Sequence, residues 1–238
     1  MRAMFAVVWA AIGECVTCGE RPGELTAEDV VQRMMEMDRA RAASMRAYMS
    51  DRLYIADNRR FSKHAEVGVE EWFAPPDQKV LRVVSEEGSP AVRRRVIDKL
   101  IEAELESVRT GNREQTHVTD DNYRFRLAGK EMLAGYSCYV LDVSPKVEKK
   151  YLMVGRIWVD ETDFAIVRME GRPAKSPSFW TRDVHFVRSY KKHGPFWLPA
   201  TFESESKILL AGTSTLKIEY SNYRIETNAN FVSETGAP

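Results

Sequence analysis

The sequence lacks several features that mark common classes of protein. Its 35 basic and 35 acidic side chains leave a formal net charge of zero, whereas a nucleic-acid-binding protein usually has a strongly basic surface. It has no G-x-S-x-G elbow, no phosphate-binding glycine loop and no H-E-x-x-H motif. Its histidines, His64, His117, His185 and His193, lie far apart, without the spacing of metal ligands. We therefore expect a non-enzymatic protein without metal, cofactor or nucleic acid.

Cysteine is also scarce, with three in 238 residues. Cys15 and Cys18 form a C-x-x-C pair, but no second pair completes a tetrahedral zinc site, and no βαβ pattern indicates a thioredoxin motif. Cys138 lies in an apolar segment, which predicts a buried thiol. We interpret the C-x-x-C pair as incidental.

The N-terminus has the layout of a secretory signal peptide. Arg2 precedes an apolar run from Met4 to Ile12, and small or polar residues follow as far as Gly19. The run is too short to cross a bilayer as a helix. Two cleavage positions around Cys18 remain open. We expect residues 1–19 to be removed on export and residues 20–238 to form a single domain.

Two segments have helical patterns. In the first, from residue 25 to about 41, Thr26 and Asp29 are spaced close to a capping box, and several methionines follow. The second begins at Pro90 and ends before Gly111. We expect its apolar stripe to cover the sheet, either as core or as a mobile lid. The predicted lid residues are Val96, Leu100, Ile101 and Leu105.

Most of the remaining chain, from about residue 43 to 223, has the pattern of about ten β-strands. Val184, Phe186 and Tyr190 alternate onto one face, with Arg188 the exception between them. Short turns join consecutive strands, and this favours antiparallel pairing because parallel strands need longer crossovers. So many long strands in one sheet should curl. The predicted fold class is α+β, mainly β, with one curved antiparallel sheet and two covering helices.

Three stretches of these strands carry motifs of a known family. Residues 154–171, V-G-R-I-W-V-D-E-T-D-F-A-I-V-R-M-E-G, are similar to a G-K-I-W-I-D … P-V-R-I-E hairpin. Residues 192–199, K-H-G-P-F-W-L-P, look like the strand-turn-strand that follows it. Residues 133–141, L-A-G-Y-S-C-Y-V-L, are similar to a G-x-x-C-Y-V-L strand. Over about residues 123–223, the chain thus resembles the outer-membrane lipoprotein-sorting family of LolA-LolB-like periplasmic carriers.

This resemblance implies an incomplete β-barrel with helices in its mouth and an apolar cavity between them. It also implies a periplasmic carrier that shelters lipoprotein acyl chains or other lipid, with sorting partners at the inner and outer membranes. Burial of an acyl chain gains about 0.8 kcal/mol per CH₂. The alternative is an envelope-stress sensor or regulatory binding module with the same half-barrel. Family carriers latch the lid with an arginine, for which the candidates are Arg39, Arg41, Arg46 and Arg52.

The predicted strands supply more apolar side-chain area than two helices can cover. We therefore predict that the most apolar of these side chains line a lipid cavity. The alternative is that they pack against one another, as aromatic side chains in strands usually do. The predicted cavity residues are Trp158, Phe179, Trp180, Phe186, Trp197, Leu216, Ile218 and Tyr220.

Overall fold

A computed structural model describes residues 25–76, 78–109, 117–149, 152–176, 181–209, 212–228 and 231–233. The predicted signal peptide lies outside the described residues, as do Phe179 and Trp180. The division into a signal peptide and one domain therefore stays a prediction. Within the described ranges, no helix combines the length and apolar character that a membrane-spanning helix needs.

The helices and strands follow one another in the predicted order. Helix α1 (Ala27–Ser44) comes first, and a second helical segment lies between the third and fourth strands; it consists of α2 (Pro90–Val92), a π-helical turn (Arg93–Ile97) and α3 (Asp98–Arg109). The strands are β1 (Met45–Asn58), β2 (Lys63–Ala74), β3 (Gln78–Gly88), β4 (Tyr123–Leu133), β5 (Tyr136–Pro145), β6 (Met153–Asp160), β7 (Ile166–Pro173), β8 (Thr181–His193), β9 (Phe196–Ile208), β10 (Gly212–Thr227) and β11 (Phe231–Ser233).

All the described strands belong to one antiparallel sheet. Its order is β3-β2-β1-β10-β9-β8-β7-β6-β5-β4, and β11 pairs with the end of β10. Most neighbouring strands are consecutive in the chain and form hairpins. The pairing of β1 with β10 instead joins two strands that are far apart in sequence. The outermost strands, β3 and β4, do not pair with each other, so the sheet stays open. The predicted fold class is confirmed.

Helix α1 begins where the sequence predicts. The backbone N–H of Thr26 donates to Asp29 Oδ2 at 2.9 Å, and the N–H of Asp29 donates to Thr26 Oγ1 at 3.2 Å, which completes a capping box. The buried side chains of Val30, Val31 and Met34 pack on the β4–β8 half of the sheet. Helix α1 therefore covers one half of one face.

The second helical segment covers the other half, but it is not the straight α-helix that the sequence predicts. Across the π-helical turn, the N–H of Asp98 donates to the carbonyl of Arg93, five residues earlier. This turn holds one residue more than an α-helical turn and rotates the residues that follow. Ile97 is fully buried against β1, β2 and β10, whereas Leu100 is 38% exposed. The apolar stripe predicted from regular helical spacing is therefore displaced, with Ile97 turned toward the sheet and Leu100 turned away from it.

Candidate functional site

The strand register places a continuous row of side chains across the sheet. Directly opposed residues of antiparallel strands share a face, and the register links one residue on each strand from β2 to β4. We call this set the central row, and the face that carries it the inner face. In spatial order, its residues are Val67, Tyr54, Ile218, Phe202, Arg188, Met169, Ile157, Leu141 and Leu127.

The two helical covers meet the inner face at opposite ends of the central row. Helix α1 packs over Leu141 and Ile157, and the second helical segment packs over Tyr54 and Ile218. Between the covers, Met169 on β7, Phe186 and Arg188 on β8 and Phe202 on β9 are only partly buried. Phe202 stacks there on Phe186, with ring centroids 5.9 Å apart. The middle of the inner face is therefore a partly exposed apolar surface, which we call the gap.

A buried network of charges fixes the second helical segment to the sheet. Arg52 Nε donates to Glu71 Oε2 at 2.8 Å, and Arg52 Nη1 donates to Glu104 Oε2 at 2.9 Å. Lys79 Nζ lies 3.0 Å from Glu71 Oε1 and 2.6 Å from Glu104 Oε1. Tyr48 Oη also donates to Glu71, at 3.1 Å. Two cations and two anions thus join β1, β2 and β3 to α3.

The four candidate latch arginines differ in what they bind. Arg52 reaches from the sheet to α3 through Glu104. Arg41 lies on α1 and donates to the carbonyl oxygens of Asp163 at 2.9 Å and Phe164 at 3.4 Å, in the β6–β7 turn. Arg39 and Arg46 are exposed. Among the four, Arg52 is the candidate with a contact to the second helical segment in the described structure.

The network changes the acidity of Glu104. Burial works to raise the pKa of this carboxyl, but attraction to Arg52 and Lys79 outweighs burial and lowers the pKa to about 2. The ordinary value is 4.5. As the pH falls, the unfolded chain therefore takes up the proton before the folded protein does. The stability that Glu104 contributes is complete above about pH 4.5 and is lost as the pH falls toward 2.

We predict that Glu104→Gln lowers the free energy of unfolding at pH 7, and that the difference from the wild-type protein shrinks as the pH falls from about 5 to 3. Chemical denaturation at a series of pH values measures both quantities. Glu102→Gln is the matched control, because Glu102 is 63% exposed and pairs with Lys99 at the surface. A Glu104→Gln effect that does not change with pH would contradict the prediction.

The structure brings some of the predicted cavity residues together and separates others. Phe186, Leu216, Ile218 and Tyr220 lie among the side chains packed on the inner face, where Leu216 and Ile218 are almost fully covered. Their role in binding lipid stays a prediction. Phe179 and Trp180 lie outside the described residues.

The two remaining tryptophans lie elsewhere. Trp158 alternates with Ile157 and Val159, which pack under α1, so it points to the opposite face. There it packs in a cluster with Cys138 and donates to Glu131 Oε2 at 2.9 Å. Trp197 packs against the same cluster and donates to Asp163 Oδ2 at 2.8 Å. Neither indole joins the inner-face residues, because both belong to this second cluster.

The predicted lid residues also separate. Val96 and Ile101 pack on the inner-face cluster around Ile97, whereas Leu100 points outward. Leu105 is partly buried and lines an open depression of about 510 Å³ along α3. Most of the other residues that line this depression are charged, so it does not suit an acyl chain. They are Lys99, Glu102, Ala103 and Glu106.

Sequence reasoning missed Phe202 and Arg188, which lie side by side in the gap. Arg188 was visible only as an interruption of the alternation on its strand. It also missed the network around Glu71, since pairing of charges far apart in sequence has no local signal. Among the described residues, no group of histidine, cysteine or carboxylate side chains could hold a metal ion.

The single antiparallel sheet is not closed into a barrel, and helices lie on its inner face. Residues 76–171 match the family model of the MucB/RseB N-terminal domain. No curated protein matches the chain in sequence.

Several solved structures are similar to this chain, including the following three. A putative outer membrane lipoprotein-sorting protein domain from Vibrio parahaemolyticus is 14% identical, with 89% of this chain and 95% of that chain covered and a TM-score of 0.48. A DUF1329 family protein from Desulfovibrio piger is 13% identical, with 90% of this chain and 96% of that chain covered and a TM-score of 0.44. A LolA superfamily protein from Nitrosomonas europaea is 10% identical, with 85% of this chain and 94% of that chain covered and a TM-score of 0.37. The resemblance stated from the sequence is confirmed, but at these values it transfers no ligand, partner or residue role.

Proposed function

We propose that the protein is a periplasmic, non-enzymatic carrier that shelters the acyl chains of a lipoprotein or other lipid on its inner face. The observation that best supports this proposal is the gap, where Phe186, Phe202 and Met169 are partly exposed between two helical covers. A protein that needed only a core would gain free energy by covering this surface. Sorting partners at the inner and outer membranes belong to the same proposal.

A long acyl chain bound in the gap would also need the apolar surface next to it on β10. Leu216 and Ile218 adjoin the gap, but they are covered by the second helical segment and by Ile97 in particular. The carrier would therefore open by moving this segment away from β1 and β10. The pairs of Glu104 with Arg52 and Lys79 give the segment a defined closed position, and both pairs would break when the segment moves.

We predict that the delipidated protein binds an environment-sensitive fluorescent acyl probe and releases it when a long-chain lipid is added. Phe202→Ser should weaken binding about ten- to a hundredfold, since a buried aromatic contact is worth about 1.5–3 kcal/mol. Probe titration measures the affinities, and circular dichroism of each variant checks its fold.

Val80→Ser is the matched control for this experiment. Val80 lies on the edge strand β3 and is 56% exposed, away from the gap, so the substitution should leave probe binding unchanged. The carrier proposal would be wrong if the probe failed to bind, or if it bound without competition from lipid.

A second candidate is a regulatory binding module, such as an envelope-stress sensor. It is favoured by the match of residues 76–171 to the MucB/RseB N-terminal domain. A carrier should pass the fluorescent acyl probe to acceptor vesicles, whereas a sensor should retain it and change its affinity for a protein partner. Probe transfer to vesicles therefore separates the two candidates.

A further inference from the structure

The central row is interrupted by one charged side chain, Arg188. The other eight residues in the row are apolar or aromatic. In the register, Arg188 lies between Phe202 on β9 and Met169 on β7, in the gap between the two helical covers. An arginine is always ionised in proteins, so the apolar surface carries a fixed positive charge at its centre.

The neighbours of Arg188 do not neutralise this charge. The guanidinium lies 5.3 Å from the centroid of the Phe202 ring, and it hydrogen-bonds Tyr190. Its Nε is buried and has no hydrogen-bond partner. The carboxylate that attracts it is Glu104, which Arg52 and Lys79 already bind.

The count of charged groups on the inner face also shows that the charge of Arg188 is not neutralised. In the buried network, Arg52 and Lys79 offset Glu71 and Glu104. Arg188 therefore adds one uncompensated positive charge to this part of the described structure. A partly buried cation that no carboxylate neutralises is unfavourable, and an anion that reaches its unpartnered Nε gains a charge-assisted hydrogen bond.

We propose that Arg188 binds the carboxylate of a fatty acid, whose acyl chain then lies along the apolar residues of the central row. This inference rests on the proposed function and adds a head-group preference to it. The two oxygens of a carboxylate match the edge formed by Nε–H and one Nη–H of a guanidinium, and the buried Nε is the unsatisfied donor. A phospholipid would have to place a glycerol and a second chain at the same buried position.

The first experiment compares ligands that differ only at the head. Laurate and dodecanol have the same chain length, and calorimetric titration at pH 8 gives the affinity of the wild-type protein for each. Laurate should bind about tenfold or more tightly than dodecanol, the amount expected for a hydrogen bond between charged groups. Lyso-phosphatidylglycerol, an anionic lipid with a phosphate head, should bind more weakly than laurate.

Variants then test whether Arg188 causes the difference. Arg188→Met should remove the preference for laurate over dodecanol, and Arg188→Lys should retain part of it. Arg168→Met is the matched control: Arg168 also lies over an aromatic ring, 5.5 Å from the centroid of Trp158, and its Nε is likewise buried without a partner. It faces the opposite side of the sheet, however, and pairs with Glu170 at 2.7 Å. Its substitution should leave the preference unchanged.

The outcomes distinguish this inference from the proposed function. Equal binding of laurate and dodecanol by the wild-type protein would overturn the role of Arg188 but leave an acyl-binding carrier. Binding of neither ligand would remove both. A laurate preference that persists in folded Arg188→Met, or a tighter affinity for lyso-phosphatidylglycerol than for laurate, would overturn the assignment. If Arg188→Met does not fold, the ligand comparison in the wild-type protein and in Arg188→Lys still decides.

Discussion

Replacing Glu71 with glutamine is expected to lower the free energy of unfolding by about 3–5 kcal/mol, the usual result of removing one partner from a buried ion pair. The Glu71 side chain has no exposed surface, and its carboxylate accepts hydrogen bonds from Tyr48, Ser50 and Arg52 and pairs with Lys79. A neutral amide keeps the volume but leaves the buried cations short of one negative charge. Urea denaturation at pH 7 measures the loss.

The neighbouring residue provides the control. Glu70 precedes Glu71 on β2, points to the opposite face and pairs with Arg82. Both partners are well exposed, at 41% and 69%, so Glu70→Gln should cost less than about 1 kcal/mol. Equal losses for the two variants would show that the network around Glu71 does not stabilise the fold.

Local signals in the sequence were sufficient for the helices and hairpins. Thr26 and Asp29 identify the start of α1, and short turns between alternating segments predict antiparallel neighbours. The pairing of β1 with β10 has no such signal, because it joins residues as distant as Tyr54 and Ile218. The curved, open shape could therefore be predicted from the number of strands and from the family resemblance. Neither of these predicted the order of the strands in the sheet.

The predicted cavity was less accurate because alternation fails where both faces of a strand are buried. On β5, Cys138 to Leu141 are all buried: Tyr139 and Leu141 pack under α1, while Cys138 and Val140 pack on the opposite face. The same holds for Trp158 and its neighbours on β6. An apolar pattern without alternation does not say which face a side chain takes, so Trp158 could not be assigned from the sequence.

Arg188 shows the opposite case. On β8 the alternation was clear enough for one polar residue to break it, and a polar residue at an apolar position is the kind of conflict that functional sites produce. The sequence therefore contained a signal for the residue on which the proposed head-group preference depends. What it did not contain was the placement of Arg188 between two helical covers, which depends on the packing of α1 and the second helical segment.

Replacing Ile97 with alanine is expected to lower the free energy of unfolding by about 2–5 kcal/mol, as for a large-to-small change at a well-packed core position. Ile97 has no exposed surface and packs against the cluster formed by β1, β2 and β10. The loss should also loosen the second helical segment, because Ile97 is its one fully buried residue in the described part of the chain. Chemical denaturation measures the stability of the variant.

Leu100→Ala is the control that separates the π-helical turn from a straight helix. In a straight helix, regular spacing would place Leu100 on the apolar stripe, and its truncation would cost as much as that of Ile97. The extra residue in the turn rotates Leu100 outward to 38% exposure, so its truncation should cost less than about 1 kcal/mol. If Leu100→Ala is the more damaging of the two, the second helical segment packs without the π-helical turn, and Leu100 belongs to the surface that covers the sheet.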